Sequence, residues 1–238
     1  MRDHVPTQLP FENRMLASLP REEYERILPK LEEVRLPQGK ILYNAGDEIH
    51  YAYFLRGGMA SLLSTTEDGR IIEVAMIGNE GVVGVPIVLR ISKSPYLVMM
   101  QLPANALRIK EAALVEAFDE SRRLQGLILR YTHTILTQIT QSAACNRFHR
   151  VRERLCRWLL ISRDRVHTNT IPLTQEFLSH MLGVPRTNVT MVARGLQEEG
   201  MIRYSRGKIE ITDRAALEAA SCECYRIVRN DIKLFLAA

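Results

Sequence analysis

The chain has 238 residues, 46% hydrophobic and 25% charged, which is room for two modest domains with real cores. Its net charge is +5, and no apolar run approaches the roughly 20 residues of a membrane span. The opening segment, MRDHVPTQLPFENRML, holds no uninterrupted apolar stretch and does not read as a secretory signal, so a cytoplasmic location and reduced thiols at Cys145, Cys156, Cys222 and Cys224 are expected.

Residues 14–30 (RMLASLPREEYERILPK) predict one or two short helices. Leu16, Leu19, Tyr24, Ile27 and Leu28 form the apolar side, and Pro20 opens the second. From Leu31 the period changes. Short strand-type runs lie at Val34–Leu36, Lys40–Tyr43, Tyr51–Arg56, Ala60–Ser64, Ile71–Ile77 and Tyr96–Gln101. Gly39, Gly46-Asp47, Gly57-Gly58, Asp68-Gly69, Gly78 and Gly81 separate them, and many short strands between regular turns predict a sandwich or barrel.

Glu111 to about Ala144 predicts helix, a short segment to Phe118 and then a long one. Along it Leu124, Ile128, Tyr131, Ile135, Gln138, Ser142 and Cys145 alternate spacings of four and three, a heptad seam. In a lone domain such a seam is an ordinary buried stripe. A linker is expected around Cys145-Asn146. Arg147–Ile161 then predicts an amphipathic helix with Phe148, Val151, Leu155, Trp158 and Leu159 inward.

Ile171 to Ile211 reads as helix, tight turn, helix and a two-stranded wing. Thr174 is the expected N-cap of the first helix, with Phe177, Leu178 and Met181 on its apolar side. Gly183 supplies the turn and Pro185 starts the second helix, which turns Val189, Val192, Ala193 and Leu196 inward until Gly200 stops it. Arg186, Thr187, Asn188 and Thr190 are left facing outward. Ser205-Arg206-Gly207-Lys208 makes the hairpin turn. This is the winged helix-turn-helix pattern, whose second helix fits the major groove of B-DNA. Arg214 to Ala238 predicts a helical tail through Leu217, Ala220, Cys224, Ile227 and Val228.

Charge follows the motif: residues 146–238 carry a net +6 and residues 1–145 a net −1. Basic surface supplies most of the sequence-independent attraction to phosphates. No Ser-His-Asp ordering, P-loop or metal-ligand spacing points to an enzyme. Cys222-Glu-Cys224 has no second pair or histidine near it in sequence, so no metal site is expected.

The stretch GKILYNAGDEIHYAYFLRGGMASL, with Gly39, Gly46-Asp47, Tyr53-Phe54-Leu55 and Gly57-Gly58, resembles the start of a cyclic-nucleotide-binding-type β-roll. With the winged helix downstream, the chain resembles the CRP/FNR family of bacterial transcription regulators from about Met15 to about Asp213. The resemblance implies an α+β fold: an N-terminal double-stranded β-helix (jelly-roll-like) sensor domain at 14–118, a dimerisation helix and hinge at 119–145, and a winged helix-turn-helix at 146–238. It implies a homodimer paired through Leu124, Ile128, Tyr131 and Ile135, a double-stranded DNA operator, and RNA polymerase as a further partner. On the DNA side it points to Thr174, Pro185, Arg186, Thr187, Asn188 and Thr190, with Arg203, Arg206 and Lys208 of the wing on backbone. Arg186 matches an arginine of the family's recognition helix that can be bidentate to guanine. Thr187 and Met191 stand where the family often has glutamate and arginine, which puts its TGTGA-type half-site in question.

Family members that bind cyclic AMP have Gly-Glu-Leu at the phosphate site and Arg-Ser or Arg-Thr about ten residues later. Here Gly84 matches, but Val85 and Pro86 follow, and Lys93, Ser94 and Pro95 stand near the arginine position. Val85 cannot accept a ribose hydrogen bond. Gly84, Val85, Arg90, Lys93 and Ser94 are the effector-pocket candidates, and cyclic AMP is not the expected effector. The family's iron–sulfur sensors need N-terminal cysteines, which are absent, because the first cysteine is Cys145. His50, His133 and Cys145 are the candidate haem ligands. No cofactor is expected, and the small-molecule effector is left unnamed. The competing reading is a ligand-sensing module whose C-terminal domain binds a protein.

Overall fold

A computed structural model of the chain describes residues 13–166 and 168–237. Residues 1–12 of the segment read above, and Ala238 of the tail, lie outside the described residues. Helices α1 (Arg14–Ala17) and α2 (Arg21–Ile27) lead into a roll of β1 (Leu31–Leu36), β2 (Ile41–Tyr43), β3 (Tyr51–Arg56), β4 (Met59–Thr65), β5 (Ile71–Ile77), β6 (Leu97–Leu102) and β7 (Ala104–Lys110). The short helix α3 (Val85–Val88) interrupts it between β5 and β6. The strands form two antiparallel sheets, ordered β1-β7-β3 and β2-β6-β4-β5. Sequence reading found every strand of the roll except β7.

The four-stranded sheet is covered on both faces. Along β4, Ala60 and Leu62 join the interior of the roll with Phe54, Ile77, Val98 and Met100. Met59 and Leu63 alternate with them and pack instead with Trp158, Leu159, Leu178 and Met181 of the C-terminal half. This explains why β4 reads as a nearly continuous apolar run, the pattern of a strand buried on both sides.

Helix α4 (Glu111–Glu120) leads to α5 (Arg122–Phe148), whose N-cap Ser121 accepts from the Leu124 amide at 2.9 Å. The expected hinge at 145/146 falls inside α5, which runs on to Phe148 and breaks at His149-Arg150. Phe148, expected inward, is 76% exposed because it ends α5 rather than opening the next helix.

The seam expected at the dimer contact is turned inward. Leu124, Ile128, Tyr131 and Ile135 are buried in the chain's own core. Gly81 permits this approach: a Cβ there would stand 1.9 Å from Cζ of Tyr131. An open roll must cover its apolar edge, and the more apolar stripe of α5 does so. The stripe left outside carries Leu129 and Leu136, 48% and 57% exposed, with exposed His133, Thr140 and Ala143.

The second half holds α6 (Val151–Val166), β8 (Thr170–Pro172), α7 (Gln175–Leu182), α8 (Arg186–Glu198), β9 (Ile202–Ser205), β10 (Lys208–Ile211), α9 (Arg214–Ala219) and α10 (Glu223–Ala237). The wing sheet is three-stranded, β8-β10-β9, where two strands were expected. Helix α10 is shared between halves. Tyr225 and Val228 pack with α6 and the winged core, whereas Phe235 enters the roll's core beside Tyr131, ring centroids 5.5 Å apart.

Polar groups also cross between the halves. Arg165 of α6 donates to Glu80 at 2.9 Å, with both side chains buried, and to the Met76 carbonyl at 3.1 Å. Trp158 Nε1 donates to Glu73 Oε1 at 2.9 Å; Ser61 and Gln101 donate to the other carboxylate oxygen. Burial pushes the Glu73 carboxyl up to about 7, against the donors Ser61 and Trp158 and the charges of Arg157 and Arg165.

Candidate nucleic-acid interface

The helix-turn-helix is built by its caps. Thr174 Oγ1 accepts from the Phe177 amide at 3.1 Å and starts α7. Gly183 ends it at φ 60°, ψ 40°, a left-handed conformation that costs glycine little. Pro185 occupies the N-cap of α8, one position earlier than expected, so Arg186 is the first helical residue. Leu178, Met181, Val189, Ala193 and Leu196 are buried between the helices and α6.

This packing leaves one face of α8 in solvent. Arg186, Thr187 and Thr190 are exposed and Asn188 is half-buried. Met191, where the family often has arginine, is 68% exposed on the same helix. Thr190 Oγ1 donates to Gln175 Oε1 at 2.7 Å, tying α7 to α8 across the reading face. Sequence reading passed over Gln175, because only the tertiary crossing brings it to Thr190.

The wing turn reverses at Arg206, φ 48°, and Gly207, φ 72°. Gly207 lies close to Thr174, so the wing tip stands at the start of α7. Arg203, Arg206 and Lys208 are all exposed. Arg203 pairs with Glu210 at 3.1 Å, whereas Arg186, Arg206 and Lys208 make no ion pair among the described residues. Arg194 and Arg152 of this half are engaged instead, Arg194 with Glu198 at 2.8 Å and Arg152 with Glu199 through both terminal nitrogens. Uncommitted cations at the start of α8 and on the wing are suited to phosphate and base-edge acceptors.

Two family models match this architecture in its order, the cyclic nucleotide-binding domain over residues 33–121 and the Crp-like helix-turn-helix domain over residues 153–220. The chain belongs to the CRP/FNR family of DNA-binding transcription regulators. The regulator is 25% identical over 210 residues to the global nitrogen regulator of Nostoc sp. (strain PCC 7120 / SAG 25.82 / UTEX 2576), covering 84% of this chain and 93% of that one. Its fold is similar to FixK2 from Bradyrhizobium japonicum, with TM-score 0.70, 15% identity, and 81% of this chain and 98% of that one covered. It is also similar to a CRP-family transcriptional regulator from Thermus thermophilus, with TM-score 0.68, 18% identity, and 79% and 96% covered. Among the described residues of the regulator no helix is long and apolar enough to cross a membrane.

The roll's candidate effector residues divide between buried core and surface. Gly84 caps α3 at φ 111°, and Val85, Pro86, Ile87 and Val88 are buried as apolar core. Arg90 donates to both oxygens of Asp119 at 2.7 Å on the half-exposed surface, and Lys93 is exposed. Ser94 is buried, but its hydroxyl donates to the Tyr96 carbonyl at 2.6 Å. A cyclic nucleotide brings a full negative charge and ribose hydroxyls; of these five residues Arg90 is committed to Asp119, Lys93 stands exposed without an ion pair among the described residues, and none offers a carboxylate. The haem candidates are likewise dispersed: His50 stands beside Glu48 on the roll's surface, His133 is exposed on α5, and Cys145 is buried at its end.

Cysteines that looked isolated in the sequence are brought together. Cys145 and His149 lie one turn apart at the end of α5, and Cys222 and Cys224 lie at the start of α10; their ligand atoms all fall within 4.8 Å of one another. A thiol contact with Cys222 draws the Cys145 thiol below its usual range, against its burial, whereas burial pushes Cys224 up to about 11.

Proposed function

We propose that the regulator is a homodimer that reads a two-fold-symmetric operator with the first turn of α8, and that cyclic AMP is not its effector. The carrying observation is the exposed start of α8, where Arg186 stands without an acidic partner, together with the equally unpaired Arg206 and Lys208 of the wing. In this reading Arg186 and Asn188 reach base edges, Thr187 and Thr190 meet a thymine methyl or a phosphate, and Thr174, Arg203, Arg206 and Lys208 hold backbone. Unpaired cations favour a polyanion over a protein surface, which sets aside a protein-binding C-terminal domain. The dimer contact in this reading is the outer stripe of α5 through Leu129 and Leu136. The regulator would act in the cytoplasm.

Selection of bound sequences from a random DNA pool tests the reading. A two-fold-symmetric consensus is expected, with half-sites about one helical turn apart and affinity falling steeply with salt. Recovery of no shared sequence, or binding indifferent to salt, would overturn it.

A further inference from the structure

We propose that Cys145, His149, Cys222 and Cys224 form a four-ligand site for a single zinc ion at the junction of α5 and α10. The ion would join the hinge after α5 to the segment that enters α10.

The geometry carries the assignment. A tetrahedral zinc with sulfur ligands at about 2.3 Å and an imidazole at about 2.0–2.1 Å holds its sulfurs about 3.8 Å apart and a sulfur and nitrogen about 3.6 Å apart. Cys145 Sγ and Cys222 Sγ are 3.5 Å apart, and Cys224 Sγ and His149 Nδ1 are 3.6 Å apart. The sulfur pair is too far apart for a disulfide, which needs about 2.05 Å. Spacing also decides against an iron–sulfur cluster, which sets its cysteines around a core of several irons. Four ligand atoms all within 4.8 Å of one another enclose space for one ion.

The surroundings suit a metal. The three thiols are at most 6% exposed. His149 turns Nδ1 toward Cys224, and its Nε2 lies 3.3 Å from Glu223 Oε1. A carboxylate on the outer ring nitrogen fixes the tautomer that leaves the inner nitrogen free to coordinate. Three thiolates and a neutral imidazole on Zn2+ leave one net negative charge. Arg157, 7% exposed, exerts its charge on all three thiols, and its Nε has no hydrogen-bond partner among the described residues. Loading is a proton exchange without redox change: Zn2+ binds, three thiol protons leave to solvent, and four coordinate bonds form. Soft thiolates in a tetrahedral set favour zinc over oxygen-seeking ions.

Metal analysis of the full chain, purified under reducing conditions after growth with zinc, should find about one zinc per chain. Cys222→Ser with Cys224→Ser should lose it, and Cys156→Ala, which removes a buried thiol outside the cluster, should keep it. Cobalt titrated into metal-free wild-type chain should give the strong visible bands of tetrahedral thiolate coordination, a readout that stands if a cysteine variant fails to fold. Any of four results would overturn the site: wild-type chain that takes up neither zinc nor cobalt, zinc retained at full stoichiometry in the double variant, iron with sulfide in place of zinc, or a Cys145–Cys222 disulfide in the metal-free protein under reducing conditions.

Discussion

Arg165→Met probes the contact between the sensor and DNA-binding halves. It strands Glu80, whose side chain is only 3% exposed, keeping the Gly78 amide at 3.2 Å and losing the guanidinium at 2.9 Å. Removing one partner of a buried pair costs about 3–5 kcal/mol. Adding Glu80→Gln removes the stranded charge and should recover most of the loss, because replacing both partners of a buried pair is often close to neutral. Trp158 is the chain's one tryptophan and lies in this contact against Glu73, so urea unfolding followed by its emission reads the interface directly. A single variant within about 0.5 kcal/mol of the parent, or a double variant no more stable than the single, would mean that the pair is hydrated and the contact is not closed as described.

Four further outcomes are expected. Leu129→Glu with Leu136→Glu should give monomers by sedimentation and abolish operator binding, and a variant that stays dimeric would place the dimer contact elsewhere. Arg186→Ala should weaken specific binding by about 1–3 kcal/mol and relax one operator position, whereas Lys208→Ala should weaken all sequences alike and lower the salt slope by about one, both measured by fluorescence titration. Burial holds the Glu73 carboxyl near 7 when folded, against an ordinary value near 4.5. Between these values the folded chain keeps a proton that the unfolded chain has released, so stability should fall by about 3 kcal/mol as pH rises through that window, and Glu73→Gln should flatten the profile. Cyclic AMP at millimolar concentration should leave both melting temperature and operator affinity unchanged, and a saturable micromolar titration that tightens DNA binding would contradict the proposed reading of the roll.

The elements most legible in the sequence were those whose signal is local. Caps and turns marked the helix-turn-helix to within a residue, since the Thr174 hydroxyl caps an amide three residues on and Gly183 and Gly200 act through their own positive φ. Runs between glycines gave the roll's strands other than β7. What escaped depends on distant partners. Helix α5 carries two stripes of heptad spacing, and periodicity cannot say which faces the chain's own core; the close approach of Tyr131 to Gly81 decides it. Strand β8 is three residues long and exists because β10 pairs with it. Cys145 and Cys222 stand 77 positions apart, so no spacing rule joins them.

Helix α10 belongs to two cores at once, and this changes where the molecule can be cut. A chimera joined at the break between α5 and α6 would carry Phe235 away from Tyr131 and leave an aromatic slot open on the recipient roll. An exchange that respects the packing must move α5 and α10 together. The same sharing makes the two halves one cooperative unit, so calorimetry should record a single transition in which the roll and the winged helix melt together.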